Sequence, residues 1–204
     1  MTSLIAGSPE AYLGADPIVE STHSDVVALA TALRSSNPEE EAFAGAAFAW
    51  VRDNVAHSWD ARDPRVTLTA SQVLREKVGL CYAKSHLLAA LLRAGGVPAG
   101  LCYQRLRDGD GHVLHGLIAV YLRGGWHRQD ARGNKPGVEA RFSLDGEQLA
   151  YVVDADAGEV DYPEVHVSPV RPVVEVLGGA DDVLALCEGG LPTRLEAVES
   201  GRGA

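Results

Sequence analysis

Closely spaced cysteines are missing from this sequence, and so is any Cys-x-x-Cys pair. The three present, Cys81, Cys102 and Cys187, are far apart and odd in number, which excludes the dense disulfide framework of small secreted folds and a structural zinc site. A reducing compartment fits that usage. Positive charge is in deficit: 18 Lys and Arg against 28 Asp and Glu leave a formal net charge of -10, so nucleic acid and anionic membrane surfaces are unsuitable partners. Long apolar runs are lacking too, with no stretch of about 18 consecutive apolar residues. The opening "MTSLIAGSPEAYLGADP" has neither a basic n-region nor a sustained apolar core. These absences lead to the expectation of a soluble, cytoplasmic chain. With no internal repeat, low-complexity tract or clear linker, the 204 residues are expected to form a single domain over residues 1 to 204.

What is present is globular: 46% hydrophobic and 23% charged residues argue against extended disorder, while 22 glycines and 10 prolines promise many turns. The first half reads as helices. One spans roughly Ser24 to Ser36, with Val26, Val27, Ala30 and Leu33 on one side. In "SNPEEEAFAGAAFAWVRDNV", Asn37 can cap, Pro38 suits the first helical position and Glu40 completes a capping box. Phe43, Ala46, Ala47, Trp50 and Asn54 then follow helical spacing, widened by Val51. "TASQVL" offers Thr69 and Gln72 as another capping box, with Gly79 as the terminator. The next helix begins near Cys81 and runs to Arg93 or Ala94 with most of its faces apolar, which makes it central.

After "GGVPAG" the period shifts towards two. "VPAGLCYQRLR", "HVLHGLIAVYLRG" and "GWHRQDARGN" read as strands, and Gly124-Gly125 suggests a hairpin between the last two. Further short strands are expected near "LAYVVD" and "EVHVSP", followed by a short helix in "ADDVLALCEGGLP". Helices first and antiparallel strands afterwards define an α+β fold, in which the N-terminal helices and the central Cys-bearing helix pack against an antiparallel β-sheet.

Cys81 stands at a helix start, where unpaired amides and partial positive charge favour a thiolate. As a small core residue it would be inert instead. His115 lies in the apolar strand as a candidate base, or as a satisfied core histidine. Gly116 beside it would admit a close neighbour. Asp130 can orient the histidine: with Gly124 and Gly125 as the loop, it faces Ala119, which shares a sheet face with His115. The four-residue step from position 115 to 119 spans roughly 13 Å, so twist, a bulge or another register must close the gap.

"VGLCYAKSHLLAALLRAGGVPAG" followed by "HGLIAVYLRGGWHRQD" resembles the core of the transglutaminase-like superfamily, and "FAWVRDNV" with "TASQVLREKVGLC" resembles its usual lead-in. The resemblance covers about residues 40 to 135, leaving a C-terminal extension expected to pack on that core. It implies a papain-like fold with Cys81 as nucleophile, His115 as base and later acid, and Asp130 as orienting carboxylate. Gly116 and Leu117 depart from the Ala and Trp that often follow the family histidine, and Ala131 from a frequent Pro. The resemblance further implies a thioester enzyme acting on peptide, protein or small amide substrates, with no cofactor and no metal. Hydrolysis is expected over crosslinking, and the contrasting expectation is an inactive peptide- or protein-binding module on the same fold. An arylamine acetyltransferase would use the same three residues, but its further domain and familiar cysteine motif are missing.

Other residues carry weaker signals. Cys102 in an apolar strand and Cys187 late in a helix read as packing residues. His112 and His127 project to the opposite strand face from His115 and Asp130. His57, His86, Trp50 and Trp59 receive no role. "DADAGEVD", residues 154 to 161, lacks the glycine position and final bidentate acid of an EF-hand loop, and reads as an acidic surface turn.

Overall fold

The computed structural model describes residues 3 to 195. Helices α1 (Ser24–Ser36) and α2 (Glu40–Asn54) come first, then a two-residue strand β1 (Ala56–His57), a single turn α3 (Ser58–Ala61), α4 (Ala70–Glu76) and β2 (Val78–Gly79). The central helix α5 (Cys81–Ala94) leads into strands β3 (Ala99–Asp108), β4 (Gly111–Leu122) and β5 (Gly125–Gln129). The short β6 (Val160–Asp161) and helices α6 (Arg171–Gly178) and α7 (Val183–Cys187) follow. The main sheet is antiparallel, in the order β5-β4-β3-β6, while β1 and β2 form a separate parallel pair. The expected α+β class is what is found. Among the described residues no helix is long and apolar enough to cross a membrane.

α5 is buried along its length from Cys81 to Arg93. It packs on α1, α2 and α4 on one side and on β3 and β4 on the other. Leu87, Leu88, Leu91 and Leu92 join Phe43, Phe48 and Val51 of α2 and Leu101, Ile118 and Val120 of the sheet in one cluster. Fully burying each leucine side chain contributes roughly 1.5–3 kcal/mol. α4 begins with the expected capping box: Gln72 N donates to Thr69 Oγ1 at 3.4 Å, and Thr69 N donates to Gln72 Oε1 at 3.1 Å.

Several expected boundaries move. Asn37 closes α1 rather than opening α2: its side chain donates to Leu33 O at 2.9 Å and its backbone N–H to Arg34 O at 3.1 Å. Proline at 38 keeps the preceding residue out of the helical region, with φ of -138°, so α2 starts two residues later, with Glu39 at the N-cap position and no side-chain hydrogen bond from it. Its buried face is Phe43, Ala44, Ala47, Phe48 and Val51, leaving Trp50 half-buried and Asn54 exposed. The left-handed residue ending α4 is Lys77, with φ of 57°, not Gly79. Gly79 instead admits close packing, since a Cβ there would lie 3.0 Å from Thr67 Oγ1 and 3.1 Å from Ala83 Cβ.

"LAYVVD" forms no strand; the Ala150 N–H donates to Asp130 rather than to a ladder. "EVHVSP" makes only single bridges, Ile5 with Glu164 and Leu101 with His166, and Pro163 and Pro169 bound that stretch. α6 was not anticipated because Val173, Val174 and Val176 favour strands, yet Val173 and Leu177, four apart, fill the core.

The β4–β5 hairpin decides the site. Its loop is Arg123-Gly124 rather than Gly124-Gly125, with φ of 52° and 76°, the pair of positive values a two-residue type I′ turn requires. Gln129 therefore pairs with Ile118 instead of Val120. A shift of two residues preserves which face each side chain occupies and slides β5 roughly 6–7 Å towards His115. Replacing Gly124 by Val puts a β-branched side chain at positive φ. Gly124→Val is expected to lower the unfolding free energy by about 1–2 kcal/mol in denaturant titration; an unchanged midpoint would contradict the strain assigned to this turn.

Candidate active site

β5 stops at Gln129 while β4 continues back to Gly111, so the β4 edge from Gly116 towards Leu114 has no β5 partner. The start of α5 docks there. Gly116 N–H donates to Cys81 Sγ at 3.4 Å, and the Tyr82 hydroxyl donates to Leu114 O. The approach requires glycine: a Cβ on Gly116 would lie 2.8 Å from Tyr82 Cδ1 and 3.1 Å from Tyr82 Cα. The close neighbour expected at Gly116 is thus the first turn of α5.

His115 and Asp130 meet. With the observed register, one further step along the ladder sets Asp130 against Leu117 instead of Ala119, and His115 Nε2 donates to Asp130 Oδ2 at 2.8 Å. Asp130 also accepts from Arg132 N at 3.0 Å through Oδ1 and from Ala150 N at 3.2 Å through Oδ2. Burial pushes its pKa up, but the His115 charge and these hydrogen bonds outweigh burial and hold it lowered. Burial pushes the His115 pKa down, and Asp130 together with the Cys81 sulfur raises it, to about 10. Because the carboxylate can only accept, Nε2 carries a proton and Nδ1 is the ring nitrogen left free, on a ring near enough to Cys81 for the sulfur to raise the histidine's pKa. Tyr151 packs edge-on against the imidazole, centroids 5.0 Å apart, and fixes its plane.

Cys81 and His115 line one cleft of about 620 Å³. Leu106, Val113, Leu191 and the 91% exposed Val152 give it an apolar wall. Cys102 is elsewhere, sealed in the sheet with its pKa pushed up by burial to about 12. Cys187, read as a packing residue, does pack against the core and also lines the cleft, and burial raises its pKa to about 11. His57 and Trp59, which received no role from the sequence, also line it, as does Arg132, which no sequence pattern marked. They arrive by long-range docking: β1 pairs His57 with Gly79, and α3 packs on α7. No local spacing encodes either contact. In the acidic turn, Asp154 accepts from Asp156 N and Asp161 pairs with Arg128, and no cluster of metal-ligating side chains occurs among the described residues.

The family model for the transglutaminase-like superfamily matches residues 27–131, a span holding Cys81, His115 and Asp130. The chain belongs to the transglutaminase-like superfamily. The match begins earlier than the resemblance read from sequence and takes in most of α1. No curated protein matches significantly. Among solved structures, a candidate cysteine protease from Cytophaga hutchinsonii superposes with a TM-score of 0.50 at 20% identity, over 62% of this chain and 42% of that one. The periplasmic domain of TgpA from Pseudomonas aeruginosa gives 0.47 at 20% identity, over 61% of this chain and 49% of that one. The chain spans less than half the length of either, and at this identity the first likeness establishes a shared fold.

Behind the site, Lys84 has its ammonium buried, donating to Val55 O and, at 3.4 Å, to Arg52 O at the end of α2. Burial lowers its pKa from 10.5 to about 8. Between those values the unfolded chain binds more protons than the folded one, so this residue's contribution to stability rises with pH there. The stability of wild type relative to Lys84→Met is therefore expected to increase from about pH 8 to about pH 10.5 in paired thermal melts; a difference that is flat or falls over that window would contradict the assignment.

Proposed function

We propose that the protein is a cysteine-dependent acyl enzyme that attacks amide or peptide carbonyls through Cys81, with water as the preferred acceptor. The observation that carries this reading is the convergence of Cys81, at the start of α5, with a His115 ring held by Asp130 at 2.8 Å, in a cleft able to admit a substrate.

In the first half-reaction Cys81 Sγ bonds to the carbonyl carbon and its proton passes to His115 Nδ1. The oxygen gains negative charge, which the backbone N–H of Cys81 at the helix start can stabilise. Collapse breaks the C–N bond, His115 returns the proton to the leaving amine, and a thioester remains. In the second half-reaction water attacks that thioester, giving a proton to His115, and the sulfur leaves and recovers it. Asp130 holds the ring in the required tautomer and offsets its charge. Peptides, proteins and small amides all present the required carbonyl. An amine can replace water in the second step, which is crosslinking or transfer; water needs no second binding partner.

Iodoacetamide labelling of folded protein, read by peptide mass spectrometry, tests the activated sulfur. Cys81 is expected to react at least about tenfold faster than Cys102 or Cys187, and His115→Ala to remove that preference. Equally slow labelling of all three would favour a binding module. With an acyl donor and a primary amine present together, amine incorporation without hydrolysis would reject water as acceptor.

A further inference from the structure

The steps above leave one polar cluster in the cleft unused. Arg132 donates through both terminal nitrogens to Asp60, at 2.7 Å and 3.1 Å, and Lys135 Nζ donates to the same carboxylate at 2.9 Å. Two cations on one carboxylate leave a positive charge in excess. The Arg132 side chain is only 5% exposed, its Nε has no partner among the described residues, and its guanidinium lies 5.9 Å from the ring of Tyr151, the residue packed on His115. His57 lines the same end with a side chain 10% exposed, and neither ring nitrogen has a hydrogen bond among the described residues. Its Nδ1 is sealed and lies 3.8 Å from Asp60, too far for a hydrogen bond. Burial, reinforced by Arg132, lowers the ring's pKa to about 3, and a neutral imidazole still carries one N–H.

Nδ1, being sealed, cannot meet a ligand in the cleft, so the donor that the neutral ring offers there is Nε2, which has no hydrogen bond among the described residues. It sits beside surplus positive charge, and the ligand that suits such a set of donors is an anion. The cleft's other acids have no hydrogen bond to this cluster: Glu159 accepts from Arg107 N at 2.8 Å, and Asp108 ends β3.

We propose that this end of the cleft binds a carboxylate of the substrate, with Arg132 Nε, the Lys135 ammonium and His57 Nε2 as donors, while Asp60 holds the two cations in place. The proposal rests on the acyl-enzyme reading only in taking this cleft as the substrate site. The carboxylate can be the C-terminus of a short peptide or the side chain of an internal Asp or Glu.

The test uses Cys81→Ser protein, so that binding is read without turnover, and calorimetric titration with three short peptides. One has a free C-terminus and no acidic side chain, the second is its C-terminal amide, and the third is the amide with one Glu. At least one carboxylate-bearing peptide is expected to bind about tenfold tighter than the neutral amide, and which one does so identifies the source. Lys135, whose side chain is 37% exposed, can be changed with little risk to folding, and Lys135→Gln is expected to abolish the preference. Equal affinity for all three peptides, or no binding by any at millimolar concentration, would overturn the proposal. A carboxylate preference with an unreactive Cys81 in wild type would sink the acyl chemistry alone; a reactive Cys81 without that preference would sink this inference alone.

Discussion

A helix buried on every face finds little water for its polar groups, and α5 carries three buried nitrogen-bearing side chains. Lys84 donates to carbonyls at the end of α2, His86 Nδ1 to Leu68 O at 2.8 Å, and Arg93 to Ala99 O and Gly14 O, each at 2.8 Å, and to Val167 O. All but the Arg93–Ala99 bond tie the helix to a segment distant in sequence, and leaving any of these groups unpaired would cost about 1–3 kcal/mol, more for the charges. The helix therefore fixes the surrounding chain as firmly as the chain fixes the helix. Cys81 inherits that rigidity, because it is the first residue of the element that everything else is tied to.

The second constraint is a shortage of strand. β5 covers only the upper part of β4, and the uncovered edge accepts the first turn of α5 through Gly116 and Leu114. A longer β5 would pair with that edge and exclude the cysteine. The truncation also carries Asp130 past the end of the ladder, where its carboxylate collects His115, Arg132 N and Ala150 N. A buried carboxylate is tolerated because those donors satisfy it.

Much of this was legible from local pattern. α1, the Thr69 capping box, the reach of α5 and the three long strands all announce themselves through periodicity and caps. The partners Cys81, His115 and Asp130 were legible as residue types, and parity placed Asp130 on the right face. The register was not: which two of Arg123, Gly124 and Gly125 form the turn depends on backbone twist, and a glycine pair attracts the wrong choice. Arg123 adopts positive φ although it is not glycine. The cleft's second polar cluster was less legible still, since His57, Asp60 and Arg132 meet only after β1 pairs with β2 and the chain beyond β5 folds back.

Taken together, a rigid helix start, an unpaired strand edge and a satisfied carboxylate bring a sulfur and an imidazole to the floor of one cleft. The most direct measurement of whether that convergence performs acyl chemistry is the trapped intermediate. Protein mixed with an aryl ester acyl donor, quenched in acid and digested, is expected to show the acyl mass on the peptide containing Cys81, with none in Cys81→Ser. Folded protein that accumulates no adduct and releases no phenol, or that carries the acyl group on another residue, would contradict the central claim.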